Sequence, residues 1–312
     1  MPNIAAAIVA ANLAKTGPAI NLKGFLVGNA WTNAFFDNTG AVQFWLDRGM
    51  ISEEIFDGVT TTCNMSDVGP LLARWGRGGV AHGRAAPLGF VPLTGRPVAG
   101  GLDCDGWQNA AQTALGVIDI YDVFADACLG AETAPPAAVA GVSSNSAAGC
   151  AASYDPCIGD STTAYLNRAD VQKAIHVRPG TVPGGAWAGC SSVVSYSRED
   201  LLTSMFPVYD FLLTRAPGLA YLVFSGDVDG IVPFTGTRAW LTKGLAWPAA
   251  TALHAWPAPD GQTGGWAYSF SHPTSGGKLM FASIRNAGHM TQATQQARAL
   301  AMFRAYLAGK EL

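Results

Sequence analysis

Short apolar runs that end in glycine- and aspartate-rich turns alternate along this chain with segments whose apolar residues recur at helical spacing. Tyr221-Leu-Val-Phe224 runs into Ser225-Gly-Asp-Val-Asp-Gly230, the pattern of a buried strand handing a carboxylate to a loop at its C-terminal end. The pattern recurs at Lys278-Leu-Met-Phe-Ala-Ser-Ile-Arg285, which leads into Asn286-Ala-Gly-His289. A third apolar run, Asn21-Leu-Lys-Gly-Phe-Leu-Val-Gly28, ends in the polar turn Gly28-Asn-Ala-Trp-Thr-Asn33. Helices are predicted from the N-terminus to about Lys15-Thr-Gly17, over 41–50, from the capping residue Ser52 onward, and over 107–117, 170–176, 198–215, 236–245 and 294–307. Helices alternating with strands imply an α/β fold, a mostly parallel sheet with helices on both faces.

Residues 51–150 break this rhythm. Gly69 to Gly101 is rich in Gly, Pro and Arg, and Leu129 to Gly149 is a low-complexity Ala/Ser/Pro stretch. Long loops inside a compact domain are usually functional or inserted. The expected organisation is therefore a core built from 1–50 and 151–312, with 51–150 as a helical and looped insertion, or cap. The apolar segment Met1 to Lys15 has a superficial likeness to a signal peptide. It lacks a basic leading region and is interrupted by Asn3 and Asn12, so it reads as a helix.

Composition narrows the class. At 312 residues the chain can bury a sizeable core, and 49% of it is hydrophobic against 13% charged. The net charge of −3 and the lack of a basic cluster argue against a nucleic-acid partner. No apolar run has the length of a membrane span. The six cysteines Cys63, Cys104, Cys128, Cys150, Cys157 and Cys190 form no C-x-x-C pair, so neither a metal site nor a cofactor is expected. Disulfides in an oxidising compartment are the alternative, and the glycosylation acceptor Asn64-Met-Ser66 beside Cys63 agrees with it.

The candidate chemistry lies in the two turns. A strand delivers Asp227 and Asp229, and sixty residues after Asp229 a later strand delivers His289. That is the latter half of a Ser…Asp…His order, in which the acid holds the imidazole and the imidazole moves the nucleophile's proton. A Gly-Asp-x-Asp-Gly turn can equally be a turn whose aspartates only cap it. His289 follows a small-residue turn that lets an imidazole project. His82, His176, His254 and His272 lack such a setting and read as structural or exposed. No Gly-x-Ser-x-Gly occurs in the chain.

Together these segments resemble the serine carboxypeptidase family of acid-acting α/β-hydrolases. The likeness rests on Asn21-Leu-Lys-Gly-Phe-Leu-Val-Gly-Asn-Ala30, Tyr165-Leu-Asn-Arg-Ala-Asp-Val-Gln-Lys-Ala-Ile-His176, Ser225-Gly-Asp-Val-Asp-Gly-Ile-Val-Pro233, Gly264-Gly-Trp266 and Arg285-Asn-Ala-Gly-His-Met290. The resemblance implies Asp229 as catalytic acid, Asp227 as support of the turn, His289 as general base and Met290 on the leaving-group side of the cleft. It implies disulfides Cys63–Cys104 and Cys128–Cys157, and a partner for Cys190 in a segment before Met1; Cys150 matches no family position. It also implies a route through the secretory pathway to a vacuole-like or extracellular site, with the C-termini of peptides or proteins as partners and a homodimer left open.

The chain departs from the family pattern in three places. Met1-Pro-Asn-Ile-Ala aligns just after the family's Gly-Glu-Ser-Tyr-Ala-Gly elbow, so the nucleophile, the oxyanion-hole donors and the first strands are expected upstream. Thr291-Gln292 stands where Val-Pro is usual, and Asn33 where an aspartate is usual. Two readings follow. One is a serine-type carboxypeptidase, or a related acyltransferase, of which this chain carries the Asp and His. The other is a truncated or pseudoenzyme form that does no catalysis. In either case an apolar sheet edge is expected to be uncovered.

Overall fold

The computed structural model describes residues 1–69, 71, 101–128, 157–178, 180–181, 186–189 and 197–312. His82, Cys150, Cys190, most of the Gly/Pro/Arg-rich stretch and the low-complexity 129–149 lie outside the described residues.

The chain opens with helix α1 (Pro2–Ala14) and strand β1 (Gly24–Gly28), then α2 (Ala34–Asp47) and α3 (Glu53–Thr62). Next come α4 (Cys104–Leu115), α5 (Ile158–Leu166), α6 (Ala169–Ala174), α7 (Arg198–Leu202) and α8 (Phe206–Arg215). Strand β2 (Ala220–Gly226) leads to α9 (Phe234–Ala239), which continues as a π-helical turn over Trp240–Leu245. The hairpin β3 (Ala249–Pro257) and β4 (Thr263–Ser271) precedes β5 (Lys278–Ile284), α10 (Thr291–Thr294) and α11 (Gln296–Leu307). Among the described residues no helix is long and apolar enough to cross a membrane.

The strands form one sheet in the order β1-β2-β5-β4-β3. β1, β2 and β5 are parallel neighbours, and β4 runs against both β5 and β3. Four of the five strands therefore point the same way, and the sheet is mixed but mostly parallel. Side chains alternate across a strand. Tyr221 and Val223 face α1 and α8, packing with Ala5, Val9, Tyr209, Leu212 and Leu213. Leu222 faces the other way, onto Ala299 and Met302 of α11. Helices on both faces leave β2 no wet side, which is why its apolar run is continuous rather than alternating.

A second core joins α2 to α3 and α4. Val42, Phe44 and Trp45 pack against Ile55 and Val59 of α3 and Ala111 and Leu115 of α4. The Cys63–Cys104 disulfide ties the end of α3 to the start of α4, and Cys128–Cys157 joins the segment after α4 to α5. Ser52 caps α3 as expected, its hydroxyl accepting from Ile55 N at 3.3 Å.

Several elements differ from the sequence expectation, α5 and α10 among them, and three of the differences have a local reason. α2 starts at Ala34 rather than 41, because Asn33 accepts from Phe36 N and Asp37 accepts from the Thr32 and Asn33 amides. Asn33 thus fills the capping role that an aspartate would. The expected helix 198–215 is two helices, broken by extended backbone at Thr203 and restarted with a proline in the first turn of α8. The β3–β4 hairpin carried no clear pattern. Of β3's residues only Trp256 is buried, so no hydrophobic period marks it.

Candidate active site

The ends of three parallel neighbours, β1, β2 and β5, converge on one buried carboxylate. Asp229 is fully buried, three residues past β2. His289 follows β5 by a short turn, and its Nδ1 lies 2.8 Å from Asp229 Oδ2. An ionised carboxylate can only accept, so Nδ1 carries the proton and donates it. This holds the imidazole in the tautomer whose Nε2 lone pair faces away from the acid. The His289 side chain is 30% exposed, open enough to exchange a proton with a neighbouring group.

Asp229 is held on all sides. Asn29 Nδ2 donates to Oδ2 at 2.7 Å, and Ile231 N donates to Oδ1 at 3.0 Å. Asn29 sits just past β1 with a left-handed φ of 42°, a conformation asparagine tolerates better than most residues. There its own Oδ1 accepts from Gly226 N at 3.1 Å. One side chain thereby couples the end of β2 to the acid. The Asn29 role was not read from the sequence; its one signal is an asparagine directly after a glycine-terminated strand.

A strap from the segment after α4 locks both turns. Gly230 N donates to Ile120 O at 2.9 Å, Val123 N to Val228 O at 3.0 Å, and His289 N to Tyr121 O at 2.7 Å. Trp45 Nε1 donates to Gly230 O at 2.9 Å, adding the second core as a brace. The Tyr121 ring stands edge-on to His289, centroids 5.4 Å apart. Glycines allow the close fit. A Cβ on Gly226 would lie 2.2 Å from the Ala287 and Gly288 carbonyls, and one on Gly288 would lie 2.5 Å from Tyr121 O.

Two further carboxylates border the site. Asp227 Oδ1 accepts from Asn286 N at 2.6 Å, so Asp227 ties the acid turn to the histidine turn. Burial pushes its pKa up, opposed by that bond and by the Arg48 charge. Asp122, in the strap, is also pushed up, first by burial and then by the charges of Asp119 and Asp229. Met290 is exposed beside His289, and Asn64 is exposed with its Oδ1 accepting from Ser66 N at 3.2 Å.

A Ser/His/Asp trio lies elsewhere and is built differently from the Asp229–His289 pair. His272 Nε2 is 2.9 Å from Asp210 Oδ1, and Ser275 Oγ is 3.0 Å from His272 Nδ1. His272 is 3% exposed and the Asp210 side chain is 64% exposed, the reverse of the Asp229–His289 arrangement. Ser275 Oγ is also 2.8 Å from Leu213 O, a bond that ties it to the end of α8. This trio braces the turn before β5 against α8. His254 is exposed, with its two ring nitrogens on the Ala252 and Leu312 carbonyls; His176 lies two residues past α6 in a left-handed conformation. Among the described residues one group could by position hold a metal, Cys128, Cys157 and Asp160. Its two sulfurs are already bonded to each other, so it offers no thiolate.

Comparison with known proteins gives a consistent result. A family model described as serine carboxypeptidase matches residues 1–309. Serine carboxypeptidase 24 of Arabidopsis thaliana is 32% identical over 316 residues, covering 100% of this chain and 59% of that protein. Serine carboxypeptidase II-1 of Hordeum vulgare is 28% identical over 295 residues, covering 95% of this chain and 78% of its own length. The crystal structure of a prohormone-processing carboxypeptidase from Saccharomyces cerevisiae superposes with a TM-score of 0.62 at 15% identity, covering 99% of this chain and 59% of that one. That likeness establishes a shared fold. The chain spans about three fifths of the length of the Arabidopsis relative.

Proposed function

Since the chain belongs to the serine carboxypeptidase family, we propose that it supplies the acid and base of a serine-type carboxypeptidase that releases C-terminal amino acids through an acyl-enzyme. The observation that carries this reading is the 2.8 Å contact between His289 Nδ1 and the fully buried Asp229. His289 Nε2 takes the proton of a serine hydroxyl as it attacks the scissile carbonyl, then returns it to the departing amine. Asp229 fixes the tautomer and balances the imidazolium charge. Met290, exposed next to His289, lines the leaving-group side.

The serine belongs, in this proposal, to a segment of the longer protein outside these 312 residues, since no Gly-x-Ser-x-Gly is among them. The length of the Arabidopsis relative leaves room for it. Two disulfides support an oxidising compartment, and hence the secretory route, with Asn64 as an exposed glycan acceptor.

The test is release of the C-terminal residue from a blocked dipeptide by the full-length protein. Asp229→Asn is expected to lower kcat by about 10⁴-fold with little change in KM, because it inverts the imidazole tautomer. His289→Ala should lose a comparable factor. Wild-type rates in both variants would sink the assignment. Turnover by the 312-residue chain alone would sink the placement of the nucleophile.

A further inference from the structure

Behind the Asp229 and His289 turns, on the side of α11, lies a cleft of about 400 Å³. Three guanidinium groups line it from three elements: Arg48 at the end of α2, Arg285 just past β5, and Arg298 in α11. Asp227, Val228, Asn286 and Phe124 complete its walls.

The lining sets three cations against one carboxylate, and the Arg48 charge already acts on that carboxylate. Asp227 is the one carboxylate in the lining, and its Oδ1 is already taken by Asn286 N. Among the described residues none of the three arginines forms an ion pair with a carboxylate. Arg48 is nonetheless fixed. Its guanidinium lies 5.0 Å from the Phe44 ring centroid and 5.2 Å from that of Phe124, and its Nη2 donates to Asp227 O at 3.0 Å. Arg298 is anchored by a bond from Nη1 to Gln295 Oε1, while its Nε is buried with no hydrogen-bond partner. Like charges held together in a partly enclosed space repel one another, and the potential they create attracts an anion. Arginine presents a planar fork of donors that matches the oxygens of phosphate-type groups.

We propose that this cleft binds a small, multiply charged oxyanion of the phosphate class, either as the free ion or as a phosphoryl group carried on a polypeptide. The site is separate from the His289 ring edge, and the proposal does not depend on the peptidase reading. Binding is measured on the full-length protein by calorimetry with inorganic phosphate, against chloride at matched ionic strength, and in a second arm with a short phosphoserine peptide. Phosphate is expected to bind saturably at one site and to raise Tm where chloride does not. Arg285→Gln, an exposed position, should weaken that binding about tenfold, the worth of one charged hydrogen bond, and leave Tm without phosphate unchanged. Tighter binding of the peptide assigns the carried group as ligand, and tighter binding of the ion assigns free phosphate. The proposal is overturned if neither probe saturates, if chloride shifts Tm equally, or if Arg285→Gln binds as well as the wild type.

Discussion

Single side chains fix the geometry of the candidate site, and a buried carboxyl in α2 makes stability depend on pH. Asp229 and His289 were readable because each closes an apolar strand with a short polar turn, so type and position agreed. Asn29 was not readable, because its bond to Asp229 spans 200 residues and no local pattern encodes it. Asp37 was missed for a similar reason. It lies inside a helix, yet it is buried, takes the Thr32 and Asn33 amides on Oδ2, and leaves Oδ1 without a partner. Burial raises its pKa from 3.8 to about 7. A folded carboxyl raised above its unfolded value favours the folded state while both stay protonated. That advantage is full below about pH 4 and is lost as the pH climbs toward 7. The urea midpoint should therefore fall across this window, by an amount equivalent to at most about 4 kcal/mol. Asp37→Asn cannot titrate, and its stability should vary less over the same range. Parallel pH profiles for the two proteins would contradict the assignment.

At the level of elements, the strands that carry the site were legible and their bracing was not. The continuous apolar runs of β2 and β5 announce strands buried on both faces, and the short run of β1 announces a strand whose residues are mostly half-buried. β3 gives no such signal because it is exposed almost throughout. The strap at 120–123 has no regular structure; its main-chain bonds to the two turns depend on a fold that is already assembled. Gly226 reports how tight that assembly is. It is not left-handed, so an alanine there is conformationally allowed and would by itself stabilise the chain by about 0.4–1 kcal/mol through the unfolded state. Its Cβ, however, would sit 2.2 Å from two carbonyls of the histidine turn. Overpacking of this kind costs about 1–3 kcal/mol. Gly226→Ala is thus expected to be destabilising in denaturant titrations, and a stabilised variant would mean that the two turns are loosely joined.

At the scale of the whole molecule, the two edges of the sheet differ. β3 ends one side with register shifts along its pairing, and such irregularity discourages a further strand. β1 ends the other side in regular register with β2, and among the described strands it has no second neighbour. Beside it α1 is apolar nearly all round, burying Pro2, Ala5 and Val9 but exposing Ile4 and Leu13 to 59% and 51%. A helix with apolar residues on every side suits a position covered on more than one face. A regular strand edge next to exposed apolar side chains is a template for association. The 312-residue chain on its own is therefore expected to associate as its concentration rises, as measured by light scattering on a sizing column. Ile4→Lys together with Leu13→Lys should shift it toward monomer without lowering Tm, since neither side chain belongs to the core. A wild-type chain that stays monodisperse and monomeric at high concentration would show that this edge is already protected.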